Sequence, residues 1–455
     1  MKFLGHYVYL PIVLLACVEF AAAAASLDIA ASLLERQSSS GFSVLAWSLG
    51  FGFAVVSSMT AVGLYQPKQR LRIEGVLARI FVAIGLAVIA VALISFFFPV
   101  GLGGALWTAS LGLAVVLLSV VRIVFWRWVD HDVFRRNVLV FGAGGRAASM
   151  LKLRRRSDRR GFHIVAFIRA DGDENAFEDP RIVPPPDSVL DYAVAANVDE
   201  IVVAMDDRRR GFPSADLLAC RFAGIAVVDL LEFLERETGK VSVEVLNPSW
   251  LIFSEGRTPT IDRILTRLVD YGVAVPMLLV ALPIMAIIAI AILIDDGGPV
   301  LYRQTRVGYM GKPFVLYKFR SMIKDAEASG QPQWAAKGDS RVTRVGALIR
   351  KVRFDELPQL FNVIAGTMSL VGPRPERPPF VEWLSRQIPY YQERHVVKPG
   401  ITGWAQLCYP YGATDQDALE KLQYDLYYIK NKSLIFDLMV LLQTAEVVLW
   451  RKGAR

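Results

Sequence analysis

Four long apolar segments occupy the first 127 residues of the chain, and polar or basic stretches separate them. The segments run over residues 7–31, 41–65, 73–98 and 104–126. Each is long enough to cross a bilayer core of roughly 30 Å as a helix that rises about 1.5 Å per residue. The pattern therefore predicts a four-helix transmembrane bundle within residues 1–130.

The charges around these segments predict which helix ends face the cytoplasm. The second connection reads QPKQRLR and the stretch after the fourth segment reads RWVDHDVFRR, whereas the first and third connections are nearly uncharged. By the positive-inside rule, the N-terminus, the second connection and everything after residue 126 face the cytoplasm. The first segment also resembles a cleavable signal, but we expect it to be retained as the first bundle helix. Glu19 lies within this segment and is costly in lipid, so we expect it to face other helices or lie near a helix end.

Alternating strand and helix patterns follow the apolar segments. RRNVLVFGAGGRAASMLKL indicates a strand, a glycine-rich turn and a helix, and FHIVAFI and EIVVAM indicate two further strands. This alternation predicts a cytoplasmic Rossmann-like domain with a parallel sheet over residues 135–235. Gly142, Gly144 and Gly145 would let the backbone approach the phosphate of a regulatory nucleotide. A crowded strand–helix turn without a ligand selects glycine equally well, so both interpretations stay open.

This domain lacks one feature of nucleotide-sugar modifying enzymes. Dehydrogenases and epimerases of this fold carry a Tyr-x-x-x-Lys pair, yet Tyr192 is followed four places on by Ala196. An enzyme that uses NAD is therefore the less favoured alternative, and the domain is predicted to be regulatory or structural. Residues 236–257 are predicted to be a linker.

A fifth apolar segment, residues 268–294, has positive charge on both flanks. The flanking cations are Arg257, Arg263, Arg267, Arg303, Arg306 and Lys312. Because positive flanks stay on the cytoplasmic side, we predict that both ends of the segment face the cytoplasm. Pro276 and Pro283 permit a sharp kink, which predicts a re-entrant helical hairpin at about residues 266–294. A plain fifth span with a tolerated kink is the alternative. Asp270 is interpreted as a cap or a partner of Arg267.

Two adjacent carboxylates, Asp355 and Glu356, stand just before Pro358. Proline is tolerated in the first turn of a helix, so we expect both carboxylates to lie beside a helix N-terminus and to stay ionised there. An ionised Asp can attack a phosphoryl group, and a neighbouring Glu can hold the divalent cation that neutralises a diphosphate. An acidic first turn that serves helix stability alone is the alternative.

Several cations surround these carboxylates in the sequence. Arg374 stands between two prolines, so its backbone has little freedom to lose when the guanidinium binds an oxyanion. The alternation in PFVLYKFRSM predicts a strand that projects Lys318 and Arg320 together. Arg350 and Arg353 directly precede the carboxylates. Mixed cations and anions are typical of phosphoryl-transfer sites, and a salt-bridged surface is the alternative.

FRSM, FDELPQLFNVIAGTMSLVGPRPE and HVVKPGITGWAQL, in this order, resemble the core signature of the bacterial sugar transferases, which are monotopic phosphoglycosyl transferases. The resemblance covers about residues 257–455 and implies a transferase domain over residues 258–455. It implies a phosphotransferase that moves a hexose 1-phosphate from a UDP-hexose, expected to be glucose or galactose, to polyprenyl phosphate and releases UMP. It also implies a phosphosugar ester on Asp355, with Asp355 and Glu356 as ligands of Mg²⁺. The residues implied to contact substrate are Lys318, Arg320, Arg350, Arg374, Lys398 and Gln406.

The order of bundle, Rossmann-like domain and transferase domain resembles the long members of this family, whose additional domains are dispensable or modulatory. The resemblance implies a multi-pass protein of the bacterial inner membrane that begins exopolysaccharide, O-antigen or capsule synthesis. The implied partners are UDP-hexose, polyprenyl phosphate, the lipid bilayer, downstream glycosyltransferases and a second copy in a homodimer. A non-catalytic membrane scaffold of polysaccharide assembly is the alternative from another functional class.

Composition agrees with a membrane protein that works on anions. Of 455 residues, 54% are hydrophobic, the mean hydropathy is +0.38 and the formal net charge is +8, which excludes an ordinary soluble protein. The basic excess fits an anionic membrane surface and nucleotide diphosphates, although topology signals explain it equally well. Without a basic helix or an aromatic RNA-binding signature, nucleic acid is not expected as a partner. The fold class is therefore predicted as membrane α plus α/β.

Overall fold

The computed structural model describes most of the chain, with gaps between the described ranges. These are residues 2–3, 6–7, 10–33, 41–65, 73–97, 104–129, 135–153, 158, 161–171, 173, 177–209, 211–246, 260–324, 339, 341–409, 412 and 414–449. The chain divides into two compact units. The first contains Met1, Tyr7–Thr60 and Leu64–Pro248, and the second contains Lys2–His6, Ala61–Gly63 and Ser249–Arg455, so the main division lies between residues 248 and 249. This division falls inside the predicted linker.

Two short strands, β1 (Lys2–Phe3) and β2 (His6–Tyr7), precede four helices that make up most of the N-terminal part of the first unit. The helices are α1 (Leu10–Leu33), α2 (Gly41–Ala61), α3 (Ile73–Phe97) and α4 (Gly104–Val129). By length and composition, α1 and α4 could cross a membrane over Val13–Leu33 and Ala105–Phe125. Within the described residues, the apolar stretches of α2 and α3 are shorter.

A buried ion pair joins α1 to α4. Glu19 is fully buried, and its Oε1 atom lies 2.5 Å from Arg122 Nε in an ion pair. Its Oε2 atom accepts a hydrogen bond from Arg122 Nη2 at 3.0 Å. Arg122 also donates from Nη1 to the carbonyl oxygen of Leu64 at 2.8 Å. The expectation that Glu19 faces other helices is confirmed.

A five-stranded parallel sheet follows, with the strand order β5-β4-β3-β6-β7. Its strands are β3 (Arg136–Phe141), β4 (Phe162–Ile168), β5 (Ile182–Val183), β6 (Glu200–Val203) and β7 (Ala226–Asp229). The helices are α5 (Gly145–Leu151), α6 (Val189–Ala195), α7 (Ser214–Phe222) and α8 (Leu230–Thr238). Alternate residues of β3 enter separate cores, Val138 and Val140 in one and Leu139 and Phe141 in the other. The prediction of a Rossmann-like parallel sheet is confirmed.

This domain continues beyond the predicted boundary at residue 235. Arg236 forms ion pairs with Glu200 at 2.7 Å and with Glu237 at 2.9 Å. Val245 is 5% exposed and packs in the same core as Phe233. The predicted start of the linker at residue 236 is therefore too early, because α8 and the turns after it cover the sheet.

The second unit contains one long helix, two small sheets and six shorter α-helices among its described residues. The long helix is α9 (Thr260–Asp296). Strand β8 (Leu301–Val307) pairs antiparallel with β9 (Pro313–Phe319), and β10 (Ser369–Val371) pairs parallel with β11 (Gly400–Thr402). The shorter helices are α10 (Arg344–Lys351), α11 (Gln359–Ala365), α12 (Pro378–Gln387), α13 (Trp404–Cys408), α14 (Asp415–Lys430) and α15 (Leu434–Leu449). Turns of 3₁₀ helix cover Tyr309–Gly311, Phe354–Glu356 and Tyr391–His395.

Both ends of α9 contact this same unit. Near its start, Asp270 accepts hydrogen bonds from Ser369 Oγ and from the Leu370 N–H, each at 2.9 Å. Arg267 donates to the carbonyl oxygen of Val363 and interacts electrostatically with Asp270, in agreement with the interpretation of the two residues as partners. In the last four turns, Ile288 and other apolar residues pack against the core of the unit.

The helix α9 is continuous through Pro276 and Pro283 over 37 residues. It is the third described helix that is long and apolar enough to cross a membrane, over Ile261–Asp296. Large apolar side chains along it are exposed, including Leu279 and Val280 in the middle and Ile294 at the end. Two separate hairpin arms are not seen, and the re-entrant path stays a prediction.

Candidate active site

The carboxylates Asp355 and Glu356 lie in the 3₁₀ turn that leads into α11. Arg353 precedes the turn with φ 63°, in the left-handed region, and Pro358 is the N-cap of α11. The proline cannot donate a hydrogen bond and its fixed φ suits the start of a helix, so the chain bends sharply before α11 begins. The two acids therefore lie beside a helix N-terminus, as the sequence predicts.

Glu356 is the anion of a compact charge cluster. Its Oε1 atom accepts a hydrogen bond from Arg374 Nη2 at 2.8 Å and from Lys318 Nζ at 3.1 Å. Arg353 Nη1 lies 3.9 Å from the same oxygen. The Glu356 side chain is 12% exposed and that of Lys318 is 19% exposed. Three elements thus place cations on one oxygen, and the cluster is stronger than a solvent-exposed salt bridge would be.

The two carboxylates differ in their affinity for protons. Burial raises the pKa of Asp355, and the charge of Glu356 raises it further. The charges of Lys318, Arg353 and Arg374 lower the pKa of Asp355 and offset only part of this rise. Burial would raise the pKa of Glu356 as well, but Arg374 and Lys318 outweigh it and hold that pKa well below its usual range. Such a divergence between neighbouring acids is typical of catalytic pairs.

Arg374 is oriented from several sides. It follows β10, whose parallel pairing with β11 brings α13 close to the Gly-Pro-Arg-Pro turn. Gln406 on α13 accepts a hydrogen bond from Arg374 Nη1 at 3.2 Å through its Oε1 atom. Gln406 in turn donates to the carbonyl oxygen of Ile401 at 3.3 Å. The predicted residues Lys318, Arg374 and Gln406 therefore assemble around Glu356.

Asp355 has an acceptor atom that nothing else uses. Its Oδ1 atom is buried and has no hydrogen-bond partner within the part of the chain that the structure describes. Buried acceptors are usually paired, so this oxygen is available to a ligand or a metal ion. No group of three or more metal-binding side chains was found in the described ranges. Mg²⁺ commonly binds through one or two carboxylates together with substrate phosphates, and Asp355 and Glu356 are oxygen donors that fit this mode.

Three other predicted substrate contacts do not join this cluster through any described bond. Arg320 follows the last residue of β9 and pairs with Asp296 at 3.1 Å, whereas Lys318 bonds Glu356. Arg350 is half-buried in the last turn of α10. Lys398 is half-buried, and its charged neighbours are Arg267, Asp270 and Lys432 rather than the carboxylate pair.

Carboxylates of the chain itself fill the glycine turn of the first unit. Asp206 accepts hydrogen bonds from the N–H groups of Gly145 and Arg146, each at 2.8 Å. A Cβ atom at Gly144 would lie 1.9 Å from Asp206 Oδ2, and Gly142 has φ 126°. These contacts favour the structural interpretation of Gly142 and Gly144, and Asp206 takes the N–H donors that a phosphate would need.

Sequence reasoning missed two buried residues near Arg374. Arg394 is 5% exposed and donates from Nη2 to the carbonyl oxygen of Arg374 at 3.2 Å. The same atom donates to Asp425 Oδ2 at 2.7 Å, and Asp425 is 1% exposed. No local pattern marks this pair, because 31 residues separate its members. The nearest signal is a charged residue within the otherwise buried pattern of α14.

Comparison with known proteins identifies two family models that match the chain. The family model described as bacterial sugar transferase matches residues 261–451, and one described as CoA-binding domain matches residues 60–210. An Aeromonas hydrophila protein named UDP-N-acetylgalactosamine-undecaprenyl-phosphate N-acetylgalactosaminephosphotransferase is 41% identical over 262 residues, which are 57% of this chain. The chain spans 61% of the length of that relative.

Longer matches include the first unit. A Klebsiella pneumoniae protein named UDP-glucose:undecaprenyl-phosphate glucose-1-phosphate transferase is 32% identical over 327 residues, which cover 70% of this chain and 69% of the relative. A Salmonella typhimurium protein named undecaprenyl-phosphate galactose phosphotransferase is 28% identical over 366 residues, or 76% of this chain and 75% of the relative. Both matches are longer than the second unit, so they extend into the first, and the family-model match over residues 261–451 includes the carboxylate turn, Arg374 and Gln406. The chain therefore belongs to the bacterial sugar transferase family.

Proposed function

We propose that the chain transfers a hexose 1-phosphate from a UDP-hexose to a polyprenyl phosphate, with release of UMP. The observation that carries the proposal is the buried Oδ1 of Asp355, which has no hydrogen-bond partner among the described residues and lies beside an anion, Glu356, that Lys318 and Arg374 hold in place. A nucleophile without a competing hydrogen bond, next to cations that can bind phosphate, suits phosphoryl transfer. The names of the three relatives support the same reaction class, and they differ in the sugar.

The proposed reaction has two in-line steps. An oxygen of the Asp355 carboxylate attacks the phosphorus next to the sugar, the bond from that phosphorus to the UMP oxygen breaks, and UMP leaves. An oxygen of the polyprenyl phosphate then attacks the same phosphorus, and the bond to Asp355 breaks. Arg374 and Lys318 stabilise the charge on the equatorial phosphate oxygens in both steps. A covalent intermediate replaces one exchange between two weakly nucleophilic phosphates by two easier ones.

Asp355 and Glu356 would hold Mg²⁺, which supplies charge neutralisation on the diphosphate when bound. Glu356 would also keep Lys318 and Arg374 at the height of the phosphates, because both cations bond its Oε1 atom. In this scheme Lys398, Arg320 and Arg350 would contact parts of the substrate that lie outside the charge cluster around Glu356. Which hexose is bound is not set by any one of these residues.

The test of this function is UMP release by the purified full chain in nanodiscs. The assay contains polyprenyl phosphate, Mg²⁺ and, one at a time, UDP-glucose, UDP-galactose and UDP-N-acetylgalactosamine. We expect release with at least one donor and a loss of at least about 10³-fold in Asp355→Asn, since removal of a covalent nucleophile typically costs this much or more. Normal turnover in Asp355→Asn would contradict the nucleophile. No release with any donor by a folded chain would favour the scaffold.

We also propose that the chain lies in the bacterial inner membrane with both ends of α9 in the cytoplasm. The support is that Asp270 and Ile288, from opposite halves of α9, contact the same α/β unit. The proposed path is re-entrant, and α1 to α4 are proposed to form a transmembrane bundle. A homodimer and downstream glycosyltransferases stay predictions.

Cysteine labelling tests this orientation. In a chain without its native cysteines, we expect Arg263→Cys and Lys312→Cys to resist an impermeant maleimide in spheroplasts and to react in inside-out vesicles. Ser38→Cys, in the first connection, is the control that reacts from outside. Reaction of one of the two α9 flanks from outside would show a plain span instead.

A further inference from the structure

The main chain of Arg374 is held by a buried guanidinium from another part of the unit. Arg394 Nη2 donates to the Arg374 carbonyl oxygen at 3.2 Å, and its Nη1 donates to the hydroxyl of Tyr391 at 2.6 Å. The carboxylate of Asp425 on α14 accepts from Arg394 Nη2 at 2.7 Å. Arg394, Tyr391 and Asp425 are 5%, 2% and 1% exposed. None of them is directed at solvent.

Flanking prolines leave one freedom of Arg374 unfixed. Pro375 restricts ψ of the residue before it, and the ring of Pro373 fixes its own φ. Neither proline fixes φ of Arg374, which turns its carbonyl group and its side chain together. A hydrogen bond to that carbonyl oxygen removes this freedom. Arg394 is therefore placed where it can decide the direction of the Arg374 side chain.

The direction of that side chain matters because its partners are specific. Arg374 Nη2 bonds Glu356 at 2.8 Å and Nη1 bonds Gln406 at 3.2 Å. These two acceptors lie on different elements, the 3₁₀ turn before α11 and the helix α13. A rotation about φ that displaced the guanidinium by about 1 Å would loosen both bonds, and displacements of this size can cost about 100-fold in rate.

A buried Arg–Asp pair is also a poor choice for stability alone. Apolar residues of similar volume often stabilise a protein as well or better, since two charges must lose their hydration. One of the hydrogen bonds of this pair goes from Arg394 to the carbonyl oxygen of Arg374, a residue of the charge cluster. This placement favours a role in the site over a role in packing.

We propose that Arg394, held by Asp425, is a positioning residue that acts through the backbone of Arg374. It fixes the peptide so that the Arg374 guanidinium meets Glu356 and, in the reaction, the phosphates of the donor. The inference rests on the proposed function for the identity of that anion. Arg394 and Asp425 themselves touch no substrate.

A double-mutant cycle tests this role. Arg394→Lys is expected to reduce UMP release about 10- to 100-fold in the wild-type background, because the single nitrogen of lysine does not reproduce the planar fork by which Nη1 and Nη2 reach Tyr391, Asp425 and the carbonyl oxygen. In an Arg374→Lys background, the same change is expected to cost less than about twofold, since the group it positions is already lost. If the fold-losses in UMP release of the two single variants multiply in the double variant, the proposal is overturned and Arg394 has only a structural role.

Matched variants keep the result independent of folding. Arg386→Lys is the control, because Arg386 forms an exposed ion pair with Glu382 on α12, and we expect wild-type release. Asp425→Asn is the second variant, which removes the charge and keeps an oxygen acceptor, and it should give the same non-additivity with Arg374→Lys. The apparent unfolding temperature of each variant shows whether it is folded.

A second readout separates this proposal from the proposed function. Binding of inorganic pyrophosphate is measured by calorimetry on the wild type, the two single Lys variants and the double variant. If the wild type releases no UMP, the proposed function is overturned, and the pyrophosphate cycle alone decides the positioning role. Non-additive losses of affinity support it, and independent losses or no loss overturn it.

Discussion

Glu356→Gln isolates the charge that organises the cluster. The variant keeps an oxygen acceptor at nearly the same place and removes the negative charge that Lys318 and Arg374 share. Hydrogen bonds to a charged group contribute about 1.5–3 kcal/mol, against about 0.5–1.5 kcal/mol for neutral ones. Each of the two contacts should therefore weaken by about 1–1.5 kcal/mol.

Exposure reduces one of these two contributions. The Arg374 side chain is 40% exposed, so water screens its contact with Glu356, whereas the Lys318 side chain is 19% exposed. We therefore take about 2 kcal/mol for the sum, which corresponds to a loss of about 30-fold in kcat/KM for the UDP-hexose. If Glu356 also holds Mg²⁺, the Mg²⁺ concentration that gives half-maximal activity should rise in the same variant.

The assay is UMP release at limiting donor over a Mg²⁺ series, with Glu376→Gln as the matched control. Glu376 lies in the same segment as Arg374 and forms a weaker ion pair with Arg306, at 3.5 Å. We expect Glu376→Gln to lower kcat/KM by less than about threefold. If Glu356→Gln stayed within the range of this control at every Mg²⁺ concentration, the shared charge would not organise the site and the reasoning would be refuted.

Two further predictions concern other parts of the chain. Asp206→Ala should lower the free energy of unfolding of the sheet domain by about 1–2 kcal/mol, because the N–H groups of Gly145 and Arg146 lose their acceptor. Limited proteolysis in denaturant measures this, and an unchanged midpoint would contradict it. Burial raises the pKa of Asp425 to about 6 although Arg394 opposes it, so the folded chain binds a proton near pH 5 that the unfolded chain has released. The apparent unfolding temperature should therefore rise as the pH falls from 7 to 5, and Asp425→Asn should lose that part of the slope. Equal slopes in both chains would contradict the assignment.

The parts of the fold that follow from local patterns were predictable. Apolar runs located α1 to α4 and α9, and alternation with a glycine turn predicted the parallel sheet. The carboxylate turn before Pro358 was predictable because proline, acids and helix starts are linked over a few residues. Lys318 and Arg374, which the sequence predicts as phosphate contacts, both bond Glu356.

The unpredicted parts depend on long-range contacts. Arg320 and Lys318 are both cations within the same predicted strand. In the structure β9 ends at Phe319, and Arg320 donates a hydrogen bond to the carbonyl oxygen of Asp296 at the end of α9. A glycine-rich turn does not reveal that Asp206, 61 residues beyond Gly145, fills it. Arg394 and Asp425 likewise show no periodicity with Arg374. In each case the role of the residue depends on a partner that is distant in the sequence, and the local pattern does not identify that partner.

The ion pair between Glu19 and Arg122 has a consequence for synthesis of the protein. The two residues are 103 positions apart, so at about 5–20 residues per second the ribosome adds Arg122 roughly 5–20 seconds after Glu19. During that interval α1 carries a carboxylate with no counter-ion, and lipid is a poor environment for it. The first helix should therefore wait at the translocon or the membrane surface until the fourth arrives. Insertion of the first helix would then depend on the arrival of the fourth.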